Sequence, residues 1–240
     1  MSTPQLIQAM NHRQAYELLT DSVRRALPDR EGAVKVLEAG CGRSWALGDL
    51  GAKIRLTGID LDAEALRLRI EDRGDLDEAI HGDLMSVPVN EDYYDLVFSS
   101  FVLEHLERPQ QALDRFFSWS RSDGLVAVII PDRDTGKGFA TRLSPFKVHV
   151  WYYRWIKRRK TAGKPGYEPY RTFYGTVVGR AGLEEYCAMR GHRIVEEIAI
   201  AMNTDDDGRL ATLTSKLIGW MSFGRLRGDY CNLAVVMAKV

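Results

Sequence analysis

The residues best suited to chemistry begin with VLEAGCGRS at positions 36–44, where an apolar run ends in Glu38 and breaks into Gly40-Cys41-Gly42. Glycines let the backbone turn sharply and come close to a ligand, and a helix that follows offers N–H groups with no partner inside the helix. At the carboxyl end of a parallel strand such a turn passes a nucleotide-like ligand; the same spacing also serves a plain strand-to-helix turn. Asp60 stands eighteen residues after Gly42 and ends a second apolar run, where one carboxylate can accept from both hydroxyls of a ribose. Asp62, directly before AEALRLR, is better placed as a helix N-cap. Further on, YDLVFSSFVLEHLERP carries Glu104 and His105. A histidine titrates near neutrality and can take a proton from a hydroxyl or amine, or else pin its loop by hydrogen bonding. His149 is a second candidate for that proton.

These groups need a scaffold that gathers strand ends. VKVLEA, IRLTGI, EAIHGD, YDLVFSS and LVAVIIP are short apolar runs; between them the spacing predicts a short helix from Trp45, a helix from Asp62 to about Arg73, and one from Pro109 to Trp119. Such alternation means a parallel sheet covered on both faces. Upstream, Leu6, Ile7, Met10, Leu18, Leu19, Val23 and Leu27 recur at mixed spacings of three and four until Pro28, which predicts an amphipathic helix over residues 5–27. After Asp132 the alternation stops. It resumes with a helix over about 180–190, the strand RIVEEIAI, the helical LATLTSKLIGWM and the strand YCNLAVVMAKV.

Taken in order, the glycine turn, GIDLD at 58–62, HGDLM at 81–85 and the LEH segment resemble the class I S-adenosylmethionine-dependent methyltransferases, over roughly residues 34–132. The likeness is to the small-molecule branch with an LEH turn after the fourth strand. It implies an α/β fold: a doubly wound, Rossmann-like, seven-stranded sheet with an antiparallel last strand. An N-terminal cap helix (1–30) would precede a methyltransferase domain (31–240) carrying an acceptor lid at about 133–180. The implied cofactor is S-adenosylmethionine. Glu38 would face its methionine part, Gly40, Cys41 and Gly42 would carry the turn, and Asp60 and Leu61 would lie by the ribose. Asp83 would accept from the adenine amine while Leu84 donates its backbone N–H. Ser99 and Ser100 would turn carbonyls toward the amino group, Arg13 would pair the methionine carboxylate, and Tyr16 would cover the sulfonium or the acceptor. The implied reaction moves a methyl group to an oxygen or nitrogen of a small molecule such as a sugar, glycolipid or natural-product intermediate. Two alternatives are a nicotinamide-dependent dehydrogenase, which Trp45 opposes by standing where GxGxxG has its third glycine, and a catalytically silent adaptor of the same fold at a membrane.

Thirty-three basic and thirty-three acidic residues cancel, so no global field draws in nucleic acid, and none is expected as a partner. Three cysteines without metal-ligand spacing imply a reduced, cytoplasmic setting and no metal site, and no run of about twenty apolar residues occurs. One segment departs from this balance. Residues 146–171 hold eight Lys or Arg against the single acid Glu168, with seven aromatic side chains. That composition suits a lid over a phosphate-bearing or lipid-linked acceptor, a peripheral membrane contact, a nucleic-acid surface, or a solvated basic helix.

Overall fold

The strand-forming runs assemble into one sheet of eight strands among the described residues: β1 (Ile7–Ala9), β2 (Val34–Ala39), β3 (Ile54–Asp60), β4 (Glu78–His81), β5 (Tyr94–Ser100), β6 (Ser120–Pro131), β7 (Arg193–Ala201) and β8 (Tyr230–Ala238). Their order across the sheet is β1-β7-β8-β6-β5-β2-β3-β4. Only β8 runs antiparallel to its neighbours, β6 and β7. The structure is a computed structural model that describes residues 5–28, 31–156, 158–163, 169–202, 209–223 and 225–240, apart from the side chains of His149, Tyr152, Ile156 and residues 209–211.

Helices α1 (His12–Ala26), α2 (Ala63–Arg67), α3 (Pro109–Trp119), α4 (Gly136–Leu143), α5 (Phe146–Trp151), α6 (Arg180–Arg190) and α7 (Arg209–Met221) complete the described elements. Successive residues of each central strand point to opposite faces, so both faces are apolar and both are covered. On one face Val97, Val126 and Val235 pack against Phe116 of α3 and Leu183 and Tyr186 of α6. On the other, Leu96, Ile129 and Val236 pack against Leu19 and Val23 of α1. Each such side chain contributes about 1.5–3 kcal/mol on leaving water.

Three local expectations change. The expected helix over residues 5–27 starts only at His12, because Asn11 caps it by accepting from the Gln14 N–H at 2.9 Å, and residues 7–9 instead pair in parallel with Ile198–Ile200. That eighth strand was not predicted: its partner lies 191 residues away, and three residues show no period of their own. No helix follows Trp45. Gly48 donates to the Thr20 hydroxyl at 3.0 Å and Gly51 to Asp49 at 2.9 Å, so side chains satisfy this loop, while Trp45 packs edge-on against Phe98. The helix from Asp62 is capped by that residue as expected, but it widens into a π turn over Leu68–Arg73 before Gly74 ends it at φ +62°. The wide turn carries Arg69 under the sheet.

Candidate active site

The strand order reverses between β2 and β5, which opens a crevice at their carboxyl ends. Gly40 and Gly42 take φ of +74° and +52°, so the turn needs glycine at both. A Cβ at Gly40 would lie 2.4 Å from Val102, whereas nothing stands within 4 Å of one at Gly42, where the backbone faces open space. Asp60 braces this rim: its carboxylate accepts from the Gly42 N–H and the Asp62 N–H, each at 2.8 Å. A carboxylate has about four acceptor positions, so capacity remains for two more donors. Gly82 donates to the Asp60 carbonyl at 3.0 Å, which brings exposed Asp83 and buried Leu84 to the same edge as exposed Leu61. Gly40, Gly42, Asp60, Leu61, Asp83 and Leu84 are therefore gathered as the sequence led one to expect.

Four further residues singled out in the sequence take partners within the protein. Glu38 is buried and bound to Arg69 at 3.0 Å instead of facing the crevice; burial pushes its carboxyl up to about 8 against the pull of the guanidinium. Arg69, fully buried, also donates to Asp75 at 2.6 Å and the Cys41 carbonyl at 2.8 Å, so it bolts the glycine turn to the sheet. Nothing in RLRIEDR distinguishes this arginine from Arg67 or Arg73, which is why the sequence did not yield it. Cys41 is buried with its thiol pushed up to about 12 by desolvation, and it supports the turn from beneath. Ser99 is buried and its hydroxyl donates to the Ala39 carbonyl at 2.8 Å, tying β5 to β2. Arg13 is 90% exposed and pairs with Glu17 along the outer face of α1, away from Tyr16. One helical turn separates them, but α1 packs at an angle that turns only Tyr16 inward.

The Tyr16 hydroxyl lies 3.0 Å from Ser100 at the tip of β5, and burial raises its pKa, so the phenol stays protonated. The next residue, Phe101, takes φ +55°, a costly conformation for a bulky side chain. It is held by its N–H on the Ile129 carbonyl at 2.8 Å and by ring contact with His12 at 5.7 Å. His12 in turn meets the Asn232 amide at 2.9 Å. Asn232, a polar residue inside the apolar run of β8, was a visible signal that went unused.

Tyr16 and Phe101 border a cleft of about 1120 Å³ walled by the LEH turn, α4 and residues 169–174. His105 Nδ1 lies 2.7 Å from the Arg171 carbonyl; a carbonyl only accepts, so Nδ1 carries the hydrogen and the neutral ring has its lone pair at Nε2. The histidine thus pins residues 169–174, one of the two roles foreseen for it. Glu104 assists the pinning, its carbonyl accepting from the Phe173 N–H at 2.7 Å. Its side chain is 4% exposed, and Oε2 has no hydrogen-bond partner among the described residues. Burial raises this carboxyl to about 8. Arg142 and Arg171, also on the cleft wall, lie over Phe139 and Phe146 at 5.6 and 5.8 Å. Of His149, within α5, the side chain lies outside the described residues.

A family model described as a methyltransferase domain matches residues 37–128, the stretch from β2 into β6. A protein of Mycolicibacterium smegmatis described as a "Probable S-adenosylmethionine-dependent methyltransferase" is 32% identical over 178 residues, 72% of this chain and 66% of that relative, just under two thirds of its length. Among solved structures, a SAM-dependent methyltransferase from Archaeoglobus fulgidus aligns with TM-score 0.51 at 16% identity, covering 93% of this chain and 94% of its own. One from Mesorhizobium loti aligns at 0.55 and 14%, covering 90% and 95%. At such identities the solved structures speak for the fold alone. The family match gives the chain a methyltransferase domain over residues 37–128, and the Mycolicibacterium relative, a homologue, brings S-adenosylmethionine as its cofactor.

Proposed function

We propose that this chain transfers the methyl group of S-adenosylmethionine to an oxygen or nitrogen of a small acceptor seated in the cleft walled by the LEH turn, α4 and residues 169–174. The observation that carries the reading is the junction at Tyr16 and Ser100, where the crevice beside the glycine turn meets a cleft large enough for a second ligand. The residues present fit the cofactor: the open approach at Gly42, the remaining acceptor capacity of Asp60 for ribose hydroxyls, and Asp83 on the same edge. When bound, S-adenosylmethionine supplies an activated methyl group, so most of the acceleration comes from holding donor and acceptor in line and dry.

The chain's own groups are suited to the rest. His105 Nε2 can take the acceptor's proton while Arg171 fixes the ring. Glu104, held mostly protonated at neutral pH by its burial, can donate a hydrogen bond to the acceptor. Arg142 and Arg171, backed by aromatic rings, favour an acceptor carrying phosphate or carboxylate. A sugar phosphate or similar anionic intermediate fits this chemistry.

The test combines calorimetry with a panel of phosphorylated and carboxylated acceptors incubated with methyl-labelled S-adenosylmethionine. Ala140→Trp, filling the cleft, should abolish label transfer while leaving cofactor affinity within about threefold. Absent cofactor binding in the wild type, or transfer that survives Ala140→Trp, would overturn the reading.

A further inference from the structure

Helix α7 is packed inside out. Thr212, Ser215 and Gly219 are buried, against α4 and the 226–228 loop, while Leu213, Leu217, Trp220 and Met221 face outward at spacings of four, three and one, a single apolar stripe. The close fit explains the small inner residues: a Cβ at Gly136 would lie 2.4 Å from the Ser215 carbonyl. It does not explain the outer ones, with Trp220 80% exposed. Beyond the helix Phe223 is 96% exposed at φ +52°, a strained backbone that displays its ring to the outside.

Residues 134–136 join this element to the segment that follows β6, since Gly136 donates to the Arg227 carbonyl at 2.7 Å and Arg227 to that of Asp134 at 3.1 Å. Leu143, Val148, Trp151 and Trp155 are exposed there as well. Nine of the sixteen large exposed hydrophobics among the described residues thus fall in these two stretches, too many for the single scattered residues that any surface shows. Charge follows the same division: residues 135–167 and 208–228 hold thirteen Lys and Arg and no Asp or Glu, in a chain whose net charge is zero.

We propose that this combined face, α7 with Phe223 and the exposed Leu143, Val148, Trp151 and Trp155 with the bases beside them, seats on the surface of an anionic lipid bilayer. Exposed tryptophans beside aliphatics match the headgroup boundary, and the cations match its negative potential. No described helix is long and apolar enough to cross a membrane, so the contact lies in the plane of the surface. A second copy of the chain suits the face poorly, because a two-fold contact would set like charges against like. Nucleic acid suits it less well, since Leu143, Val148, Leu213, Leu217 and Met221 set aliphatic surface between the rings, where a strand would need polar groups for its backbone. The docking does not depend on the acceptor chemistry.

Vesicle sedimentation tests this, with phosphatidylcholine alone and with phosphatidylglycerol added. Wild-type protein should sediment with the anionic vesicles only, and raising the salt should release it. Leu217→Ser with Trp220→Ser and Phe223→Ser should weaken binding by about tenfold or more. Lys147→Gln with Arg158→Gln, Lys160→Gln and Arg225→Gln should weaken it by about 100-fold or more. All these side chains lie outside the cleft, so cofactor affinity and melting temperature should stay at the wild-type level and exclude misfolding as the cause. The proposal is overturned if wild-type protein stays in the supernatant at low salt, if the apolar variant sediments like wild type, or if light scattering finds a dimer that Trp220→Ser dissociates while no vesicle binding occurs.

Discussion

Glu104→Gln isolates the buried carboxyl of the cleft, because glutamine keeps the volume and cannot ionise. In the unfolded chain the carboxyl releases its proton near 4.5; in the native state burial holds it until about 8. Below the lower value both states are protonated and pH has no effect. Between the two, the native state binds a proton that the unfolded state has lost, so stability falls as pH rises, by about 1.4 kcal/mol per pH unit. Across the whole window the loss is on the order of 5 kcal/mol, and above about 8 it stays constant. At 4% exposure, solvent screening removes little of this. The amide brings a pH-independent offset of about 1–3 kcal/mol from its own unpaired donor, so only the slope is diagnostic. Glu38 titrates over a similar range, but it is the same in both proteins and cancels in the difference. Thermal melts of wild type and Glu104→Gln from about pH 5 to about pH 9 should therefore diverge, the variant gaining about 10 °C or more relative to wild type by the upper end. A difference that does not change with pH would refute the assignment of a proton to this carboxyl.

Asp60→Ala removes two charge-assisted acceptor positions for ribose, each worth about 1.5–3 kcal/mol, so calorimetry should record S-adenosylmethionine binding weakened by about 100-fold or more. Affinity within about threefold of wild type would remove the residue from the cofactor site. His105→Asn keeps an amide to donate to Arg171 but loses the basic nitrogen; turnover should drop by about 10² with cofactor affinity unchanged. If that variant instead only lowers the melting temperature, the histidine is a pin and nothing more. Arg69→Met leaves the buried Glu38 carboxyl and the Cys41 carbonyl without their donor and should cost about 3–5 kcal/mol, with Glu38→Gln restoring part of it in the double variant. A melting temperature equal to that of wild type would show that the pair does not hold the turn.

The sequence by itself determined the sheet, the glycine turn and the methyltransferase domain. Apolar runs of period two, helical stripes, the Asp62 cap and the positive-φ demand at Gly40 and Gly42 are local quantities, set by neighbours a few residues apart. Asp60 and Asp83 were legible for the same reason: a residue just past a strand end must sit on the rim that the strands create. Only the tertiary structure decided the partners of Glu38, Cys41, Ser99 and Arg13, because each depends on a contact between elements. Glu38 could face the crevice until the π turn brought Arg69 beneath the sheet, and Arg13 could face inward until the packing of α1 turned Tyr16 there instead. The same holds for β1, paired across almost the whole chain, and for Glu104, whose lone carboxyl is a property of the cleft wall. Helix α7 is the sharpest case. Its apolar stripe is plain in LATLTSKLIGWM, yet periodicity reports only that one side is apolar; packing against Gly136 of α4 put the small side in and left the stripe outside.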